Sequence, residues 1–424
     1  MNEKLETQAL HAGYTPDSTG SCAVPIHRTS AYVFKDTEHA ANLFGLKELG
    51  NIYTRLMNPT TDVLEQRVAA LEGGIAALAV ASGTAAIFYS IINLAQAGDE
   101  IVASSNLYGG TYTQFNNILP QLGITVKFVD PSDPQNFAAA ITDKTKALYT
   151  ETIGNPSLDV SDIEAISAIA HENGLPLIVD GTFTTAALLR PIEHGADIVV
   201  SSLTKWYGGH GNGIGGIVVD SGKFDWSTGK HPLLSEPDES YHGIRYAIDL
   251  PDELRPLAYI LRMRLVPLRN LGACISPDNA WQFLQGIETL SLRLACHSEN
   301  ALAVAHFLEK QKEVEWVRYP GLHSHPSHNV AKKLLKDGYG ATVVFELKGG
   351  EAAGRKFIES LKIFSHLANV GDAKSLAIHP ASTTHSQLTA EQQASGGITP
   401  GLVRFSVGIE NIEDLTADIE QALK

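Results

Sequence analysis

Cysteine is scarce in this sequence, with three residues among 424. Cys22, Cys274 and Cys296 are too widely spaced to indicate a disulfide framework or a CxxC metal site, so we expect free thiols in a reducing compartment. The sixteen histidines also lack HExxH spacing, and His379 and His385 have no acidic or thiol partner at ligand spacing. No metal site is therefore predicted.

Long apolar runs and basic clusters are lacking too. No segment is apolar enough to cross a bilayer, and the N-terminal residues do not form the apolar stretch of a secretory signal, so we expect a cytoplasmic protein without a membrane partner. The formal net charge is −15, and no long Lys/Arg cluster offsets it. An acidic surface repels phosphates, which argues against DNA or RNA as a partner.

The chain divides into three predicted regions. Residues 1–61 contain many turn formers and are predicted to form an extended arm that lies on another surface. Residues 62–270 form a large domain, which starts with a helix over 62–71. Residues 271–424 form a smaller α+β domain, with a long interrupted helical stretch over 278–310.

Short apolar runs alternate with helical stretches through the large domain. The predicted strands are 77–80, 100–103, 126–129, 147–150, 177–180, 198–201 and 216–219. Continuous apolar strands separated by helices indicate an α/β fold with a mainly parallel sheet covered on both faces. Ligands of such sheets bind at the carboxyl ends of the strands, so the loops after these strands are the candidate site.

One of these loops contains Ser202, Thr204 and Lys205, followed by a glycine pair. Lysine at the end of a buried strand is unusual because burying an ammonium is costly. Such a lysine loses its proton readily, which suits Schiff-base formation with a carbonyl. Ser202 and Thr204 can donate hydrogen bonds to a phosphate from the same turn. The alternative is a surface lysine beside a glycine turn.

Three other strand ends suit a phosphorylated, planar cofactor. Ser82-Gly83-Thr84 joins a strand to a helix, where free N–H groups favour a phosphate. Tyr108 could stack on a ring, and Asp180 could keep a pyridine nitrogen protonated. Each has an ordinary alternative: a helix cap, a packed loop tyrosine, and a strand-end aspartate that caps a turn. Their occurrence together, each at a strand end, favours pyridoxal phosphate (PLP).

Longer motifs carry a family resemblance. They are 53–60 (YTRLMNPT), 202–205 (SLTK), 369–376 (NVGDAKSL), 379–385 (HPASTTH) and 403–408 (VRFSVG). With them the chain resembles, over nearly its whole length, the Cys/Met-metabolism (trans-sulfuration) family of PLP-dependent enzymes. That family has the aspartate-aminotransferase-like, type I PLP fold. Two further stretches most resemble the O-acetylhomoserine sulfhydrylases within the family: 272–277 (GACISP) and 280–290 (AWQFLQGIETL).

The resemblance implies roles for the cofactor-binding residues. Lys205 would bind PLP and shuttle protons, Asp180 would pair with the pyridine nitrogen, and Tyr108 would stack on the ring. The phosphate would be held by Ser82, Gly83, Thr84, Ser202 and Thr204, and by Tyr53 and Arg55 of a neighbouring subunit. The protein would therefore be a homo-oligomer, a tetramer built from active-site dimers.

The resemblance also implies the substrate-binding residues. Arg404 and Ser375 would hold the substrate carboxylate, since the planar fork of arginine pairs with both oxygens. Asn155 would lie near the cofactor hydroxyl and the substrate. Tyr108 or Tyr53 would assist departure of the leaving group.

The implied reaction is γ-replacement, in which O-acetyl-L-homoserine and sulfide, or a thiol, give homocysteine, or methionine, and acetate. The alternatives are a γ-lyase acting on methionine or cystathionine, an O-succinylhomoserine sulfhydrylase, and a catalytically silent PLP-binding protein. Gly110 stands where methionine γ-lyases often have cysteine, and Lys205, Asp180 and Arg404 argue against a silent protein. Residues 242–269 match the sulfhydrylase pattern only loosely, which leaves the substrate open.

Overall fold

A seven-stranded sheet organises the first half of the chain. In the computed structural model, which describes residues 3–383 and 397–424, its strands are β1 (Ala76–Val80), β2 (Glu100–Ser104), β3 (Thr125–Val129), β4 (Thr145–Glu151), β5 (Leu177–Asp180), β6 (Ile198–Ser202) and β7 (Gly216–Asp220). Their order is β1-β7-β6-β5-β4-β2-β3. Neighbours are parallel, except that β7 is antiparallel to β1 and β6. All seven predicted strands and the mainly parallel sheet are confirmed.

Helices cover both faces of this sheet. Leu177 and Val179 of β5 pack into one core, whereas Ile178 between them packs into the other, as the two-residue period of a strand requires. The helices up to β6 are α1 (Leu5–His11), α2 (Thr37–Phe44), α3 (Pro59–Glu72), α4 (Gly83–Ile92), α5 (Gly109–Thr113), α6 (Gln135–Ala140), α7 (Ile163–Glu172) and α8 (Thr185–Leu188).

Helix α3 shows why the elements begin and end where they do. Asn58 caps it by accepting from the Thr60 N–H, Pro59 occupies the first helical position, and Gly73 ends it with φ +76°. The helix predicted over 62–71 is therefore confirmed and extends by a few residues at its capped start.

Shorter elements follow β7. They are α9 (Pro232–Ser235), α10 (Tyr246–Asp249), α11 (Ala258–Met263) and α12 (Arg269–Leu271). Short 3₁₀ or π-helical turns occur at Gln114–Ile118, Leu119–Leu122, Pro191–His194, Trp226–Thr228, Glu239–Tyr241, Arg255–Leu257, Arg264–Leu268 and Pro380–Ser382.

A second, five-stranded sheet lies in the C-terminal part. Its strands are β8 (Val314–Arg318), β9 (Thr342–Leu347), β10 (Ser365–His366), β11 (Leu376–Ile378) and β12 (Leu402–Ser406), in the order β10-β11-β12-β9-β8. The remaining helices are α13 (Pro277–Ile287), α14 (Leu290–Leu308), α15 (His328–Leu334), α16 (Gly350–Ser360) and α17 (Ile412–Leu423). Phe345 and Phe405 lie in a third core, between this sheet and its helices.

The helical stretch predicted over 278–310 is confirmed as two helices, α13 and α14, interrupted at residues 288–289. The regions 1–61, 62–270 and 271–424 stay predictions. No helix in the described part of the chain is long and apolar enough to span a membrane.

Candidate active site

Lys205 lies in the turn after β6, where its side chain is largely enclosed. Its Nζ donates a hydrogen bond to Asn369 Oδ1 at 2.5 Å. Burial, and then the positive charge of Arg404, lower the pKa of Lys205 to about 8. Such a lysine exists both as amine and as ammonium near neutral pH, so it can serve as a nucleophile and as a proton carrier.

The turn that carries Lys205 is fixed from two sides. Arg293 of α14 donates to the carbonyls of the two residues after Lys205, at 2.9 and 3.3 Å. On the other side, Ala373 N donates to Gly209 O at 2.8 Å. Gly371 packs so closely that a Cβ added there would lie 2.9 Å from the Lys205 Cα. The backbone of Lys205 is thus held between α14 and the loop before β11.

Asp180 ends β5 with a side chain that is 8% exposed. Its Oδ1 accepts from Thr182 N at 2.9 Å, and Tyr149 Oη contacts its Oδ2 at 3.5 Å. Burial raises the pKa of Asp180. Among the residues described, no Lys, Arg or His lies within salt-bridge distance of this carboxyl. Asp180 can therefore pair with a cationic N–H of a ligand.

The loop before α4 has a backbone that a ligand can approach closely. Ser82 Oγ caps the helix by accepting from Ala85 N at 3.1 Å. Gly83 lies so near Ser202 that an added Cβ would be 2.6 Å from the Ser202 Cβ. Within residues 3–383 and 397–424, the N–H groups of Gly83 and Thr84 have no acceptor, which suits an anion.

Ser202 and Thr204 lie beside this loop. Ser202 N donates to Thr182 Oγ1 at 2.9 Å, which ties the lysine turn to the loop after Asp180. The Thr204 hydroxyl accepts from Gly215 N at 3.1 Å and makes a longer contact, 3.3 Å, with Gly215 O. The structure therefore brings Ser82, Gly83, Ser202 and the Asp180 loop together.

Arg404 of β12 brings the second sheet to the site. Its Nη1 donates to Asn155 Oδ1 at 3.2 Å. Burial lowers the pKa of Arg404 to about 10, a shift that the nearby Tyr108 opposes. The described residues place no carboxylate within salt-bridge distance of this guanidinium. Arg404 is thus available for the carboxylate of a ligand, close to Asn155 and Tyr108.

Tyr108 and Tyr53 are exposed aromatic residues. Tyr108 is 50% exposed at the start of α5, and Tyr53 is 42% exposed on the arm. Arg55 donates to the carbonyl of Arg269, and its Cζ lies 5.5 Å from the centroid of the Tyr53 ring. Because the structure holds one chain, the roles of Tyr53 and Arg55 in a neighbouring subunit stay predictions.

Ser375 precedes β11 and contacts Glu410 and Gly408. Its side chain is 0% exposed; its Oγ donates to Glu410 Oε2 at 2.9 Å and accepts from Gly408 N at 2.8 Å. The hydroxyl is therefore bonded within the protein in both directions, and the role of Ser375 toward a substrate carboxylate stays a prediction. Asn369, six residues earlier in the same motif, contacts Lys205.

Three residues of the site carried no predicted role: Asn369, Thr182 and Arg293. Asn369 lies inside a motif that the sequence analysis used, and Thr182 follows Asp180 at a strand end, so position alone could have pointed to both. Arg293 lies on a helix 88 residues after Lys205 in the chain. No local signal connects a residue of α14 to the lysine turn.

The absence of a metal site stays a prediction. His379 contacts Ser382 Oγ and Pro400 O, both at 2.8 Å, and His385 lies outside the described residues. Over the residues that the structure covers, no group of three or more His, Cys, Asp and Glu side chains could hold a metal ion.

The arrangement fits PLP on the observations above. Lys205 supplies an amine with a lowered pKa for the cofactor aldehyde, and Asp180 supplies a buried carboxyl without a cationic partner. The acceptor-free N–H groups of Gly83 and Thr84 and the neighbouring Ser202 suit its phosphate. The residues present would therefore hold the cofactor that the sequence predicts.

Comparison with known proteins identifies the family of the chain. The family model described as Cys/Met metabolism PLP-dependent enzyme matches residues 6–424. An O-acetyl-L-homoserine sulfhydrylase of Leptospira meyeri is 58% identical, covering 100% of this chain and 97% of the relative. A homocysteine synthase of Schizosaccharomyces pombe is 53% identical, covering 100% of this chain and 99% of the relative.

A solved structure is also similar. It is the crystal structure of a putative O-acetylhomoserine (thiol)-lyase from Campylobacter jejuni, with a TM-score of 0.95 and 41% identity, covering 99% of this chain and 100% of that one. That structure contains N'-pyridoxyl-lysine-5'-monophosphate at its position 205. The two folds are therefore the same.

Proposed function

Because the chain belongs to the Cys/Met-metabolism family of PLP-dependent enzymes, we propose that it converts O-acetyl-L-homoserine and sulfide, or a thiol, into L-homocysteine, or methionine, and acetate. The names of full-length relatives at 53–58% identity support this substrate. The observation in the structure that carries the proposal is the juxtaposition of Lys205, with its lowered pKa, and Arg404, a guanidinium without a carboxylate partner in the described chain.

The reaction breaks the bond between the substrate Cγ and the acetate oxygen and forms a bond between Cγ and sulfur. PLP, when bound, supplies a ring that accepts the electron pair left by deprotonation of Cα. Arg404 binds the substrate carboxylate, and Asn155 orients the Arg404 guanidinium through the 3.2 Å bond. Asp180 would hold a proton on the pyridine nitrogen of the cofactor, and Tyr108 would pack on its ring.

Lys205 moves the protons. Its neutral Nζ takes the proton from the substrate Cα, and a further proton leaves Cβ before acetate departs. Both protons return to carbon after sulfide has added at Cγ, so substrate and sulfide balance product and acetate. Tyr108 or Tyr53 is proposed to assist departure of acetate. Asn369 fixes the position of the Lys205 amine during these transfers.

Assembly and location complete the proposal. A homo-oligomer in which Tyr53 and Arg55 reach the phosphate of a neighbouring subunit is supported by the exposed apolar arm, where Val33 is 98% and Leu49 64% exposed. Tetramer formation from active-site dimers and a cytoplasmic location stay predictions from the sequence, as do the three domain ranges.

Product analysis tests the function. Purified protein with PLP, O-acetyl-L-homoserine and sulfide is expected to release homocysteine and acetate in equal amounts, and no homocysteine without sulfide. Mass spectrometry and an ammonia assay measure both outcomes. Ammonia and a 2-oxo acid, formed equally with and without sulfide, would identify a γ-lyase and reject the proposal. If the protein turns over O-succinyl-L-homoserine in preference to the acetyl ester, the proposed substrate is wrong but the proposed γ-replacement reaction stands.

Asn369→Asp is expected to move the acidic limb of the kcat profile to higher pH by about 1 to 2 units, because the Lys205 amine is free once substrate is bound. The 2.5 Å bond now joins Lys205 to a neutral amide; a carboxylate there would favour the ammonium and raise the pKa of Lys205 from about 8. Less neutral amine would then be present at any lower pH. The pH dependence of kcat measures the shift.

Asn369→Ser is the control, because a hydroxyl keeps a neutral acceptor at this position. The acidic limb of its pH profile is expected to coincide with that of the unsubstituted enzyme. An Asp variant whose limb does not move would show that Asn369 does not contact the amine during turnover.

A further inference from the structure

Glu151 is a second buried carboxyl beside Asp180. It ends β4, and its partner in the parallel pairing of β4 with β5 is Asp180. Partner residues of parallel strands point to the same face, so both carboxyls lie on one side of the sheet, at its carboxyl edge. Glu151 is 5% exposed. Glu151 is thus a second buried acid at the edge of the sheet where the site lies.

The side chain of Glu151 reaches the loop that carries the ring-stacking residue. Its Oε1 accepts from the Tyr108 backbone N–H at 2.7 Å. Tyr108 is the residue that precedes α5, and its own side chain makes no capping hydrogen bond. Its ring is half exposed, so packing does little to hold it. The bond to Glu151 is therefore a direct polar link between the sheet and the Tyr108 backbone.

The charges around Glu151 favour an uncharged acceptor. Asp180 of β5 and Tyr149, two residues earlier on β4, are the titratable groups that face it, and the described residues place no cation within salt-bridge distance. Burial, and then the negative charge of Asp180, raise the pKa of Glu151 well above its usual value. A protonated Glu151 still offers a carbonyl oxygen to the Tyr108 N–H, and Asp180 remains the only negative charge of the pair.

We propose that Glu151 is a positioning residue of the cofactor site, which holds the Tyr108 ring at a fixed height above Asp180 by anchoring the Tyr108 backbone to the end of β4. The inference deepens the proposed function, since it assumes that Tyr108 stacks on bound PLP. It does not depend on the substrate, because its effect is on the cofactor.

Two substitutions separate the acceptor from the charge. Glu151→Leu fills the space without an acceptor and is expected to weaken PLP binding and to lower kcat about 10- to 100-fold, as loss of a fixed geometry does. Glu151→Gln keeps an amide oxygen without the acid and is expected to restore most of both losses. The dissociation constant of PLP and the visible circular dichroism of the bound cofactor report on the ring environment independently of the product.

A double-mutant cycle with Tyr108→Ala is the decisive experiment. If Glu151 acts through the Tyr108 ring, Glu151→Leu has little further effect on PLP binding once that ring is removed. Equal losses in both backgrounds would overturn the proposal, as would a Gln variant as impaired as the Leu variant. Product identity plays no part, so a lyase outcome above would leave this test intact.

Amide hydrogen exchange keeps the proposal testable if Glu151→Leu does not fold. The Tyr108 N–H of the unsubstituted holoenzyme is expected to be protected, and to stay so in Glu151→Gln. An amide of Tyr108 that exchanges as fast as those of exposed loop residues would show that the anchoring bond does not persist.

Discussion

Lys205→Ala is expected to reduce homocysteine formation by about 10⁴-fold or more, since one side chain both binds the cofactor and moves the protons. Lys205 Nζ is the amine that the site offers, with its pKa lowered to about 8 and its position fixed by Asn369. Steady-state product formation measures the loss. Borohydride reduction followed by peptide mass spectrometry shows whether the cofactor is attached at residue 205.

An exposed lysine provides the matched control. Lys332 on α15 is exposed and makes no salt bridge within the described chain, so Lys332→Ala is expected to keep full activity and cofactor attachment. Turnover by Lys205→Ala above one hundredth of the unsubstituted rate, or cofactor trapped on another lysine, would contradict the assignment.

Arg404→Leu is expected to lower kcat/KM for O-acetyl-L-homoserine by roughly 10²- to 10³-fold, because removal of one partner of a buried charge pair costs about 3–5 kcal/mol. The loss should appear mainly in KM, since Arg404 contacts the carboxylate and not the reacting carbons. PLP binding should change little. Arg404→Lys is expected to recover only part of the lost kcat/KM, because an ammonium cannot form the two parallel hydrogen bonds of a guanidinium.

The control for Arg404 is Arg355→Leu. Arg355 is an exposed arginine of α16 that pairs with Glu351 at 2.7 Å, and its loss should leave KM unchanged. A normal KM in Arg404→Leu, or a loss confined to PLP binding, would show that the guanidinium belongs to the cofactor and not to the substrate.

Residues at strand ends were the ones that the sequence could predict. The apolar runs of β5 and β6 place Asp180 and Lys205 at one edge of the sheet, because parallel strands present their carboxyl ends together. The chemistry of a buried lysine and a buried carboxyl then limits which cofactors fit the site. The sequence does not predict that β7 is antiparallel, because an apolar run has the same pattern whichever way the strand points.

The contacts that the sequence did not predict lie in loops and between residues far apart in the chain. Residues 369–376 contain both Asn369 and Ser375, and only the path of the loop decides that the first faces Lys205 and the second faces Glu410. Glu151 directly follows a predicted strand, 147–150, and ends the observed strand β4, yet its hydrogen-bond partner Tyr108 lies 43 residues away in the chain. The position of Glu151 next to a strand end can be read from the sequence, whereas its hydrogen bond to Tyr108 cannot.

The loop at Gly371 has a consequence for protein engineering. Gly371 packs against the backbone of Lys205. The Ala373 N–H donates a hydrogen bond to the Gly209 carbonyl, and Asn369 accepts one from the Lys205 amine. One wall of the lysine turn is therefore encoded in the last quarter of the sequence, far from the lysine itself. A chimaera that exchanges the C-terminal segment between relatives would exchange this wall together with Arg404, the proposed ligand of the substrate carboxylate. We therefore expect substrate choice and the chemistry of Lys205 to change together in such a chimaera.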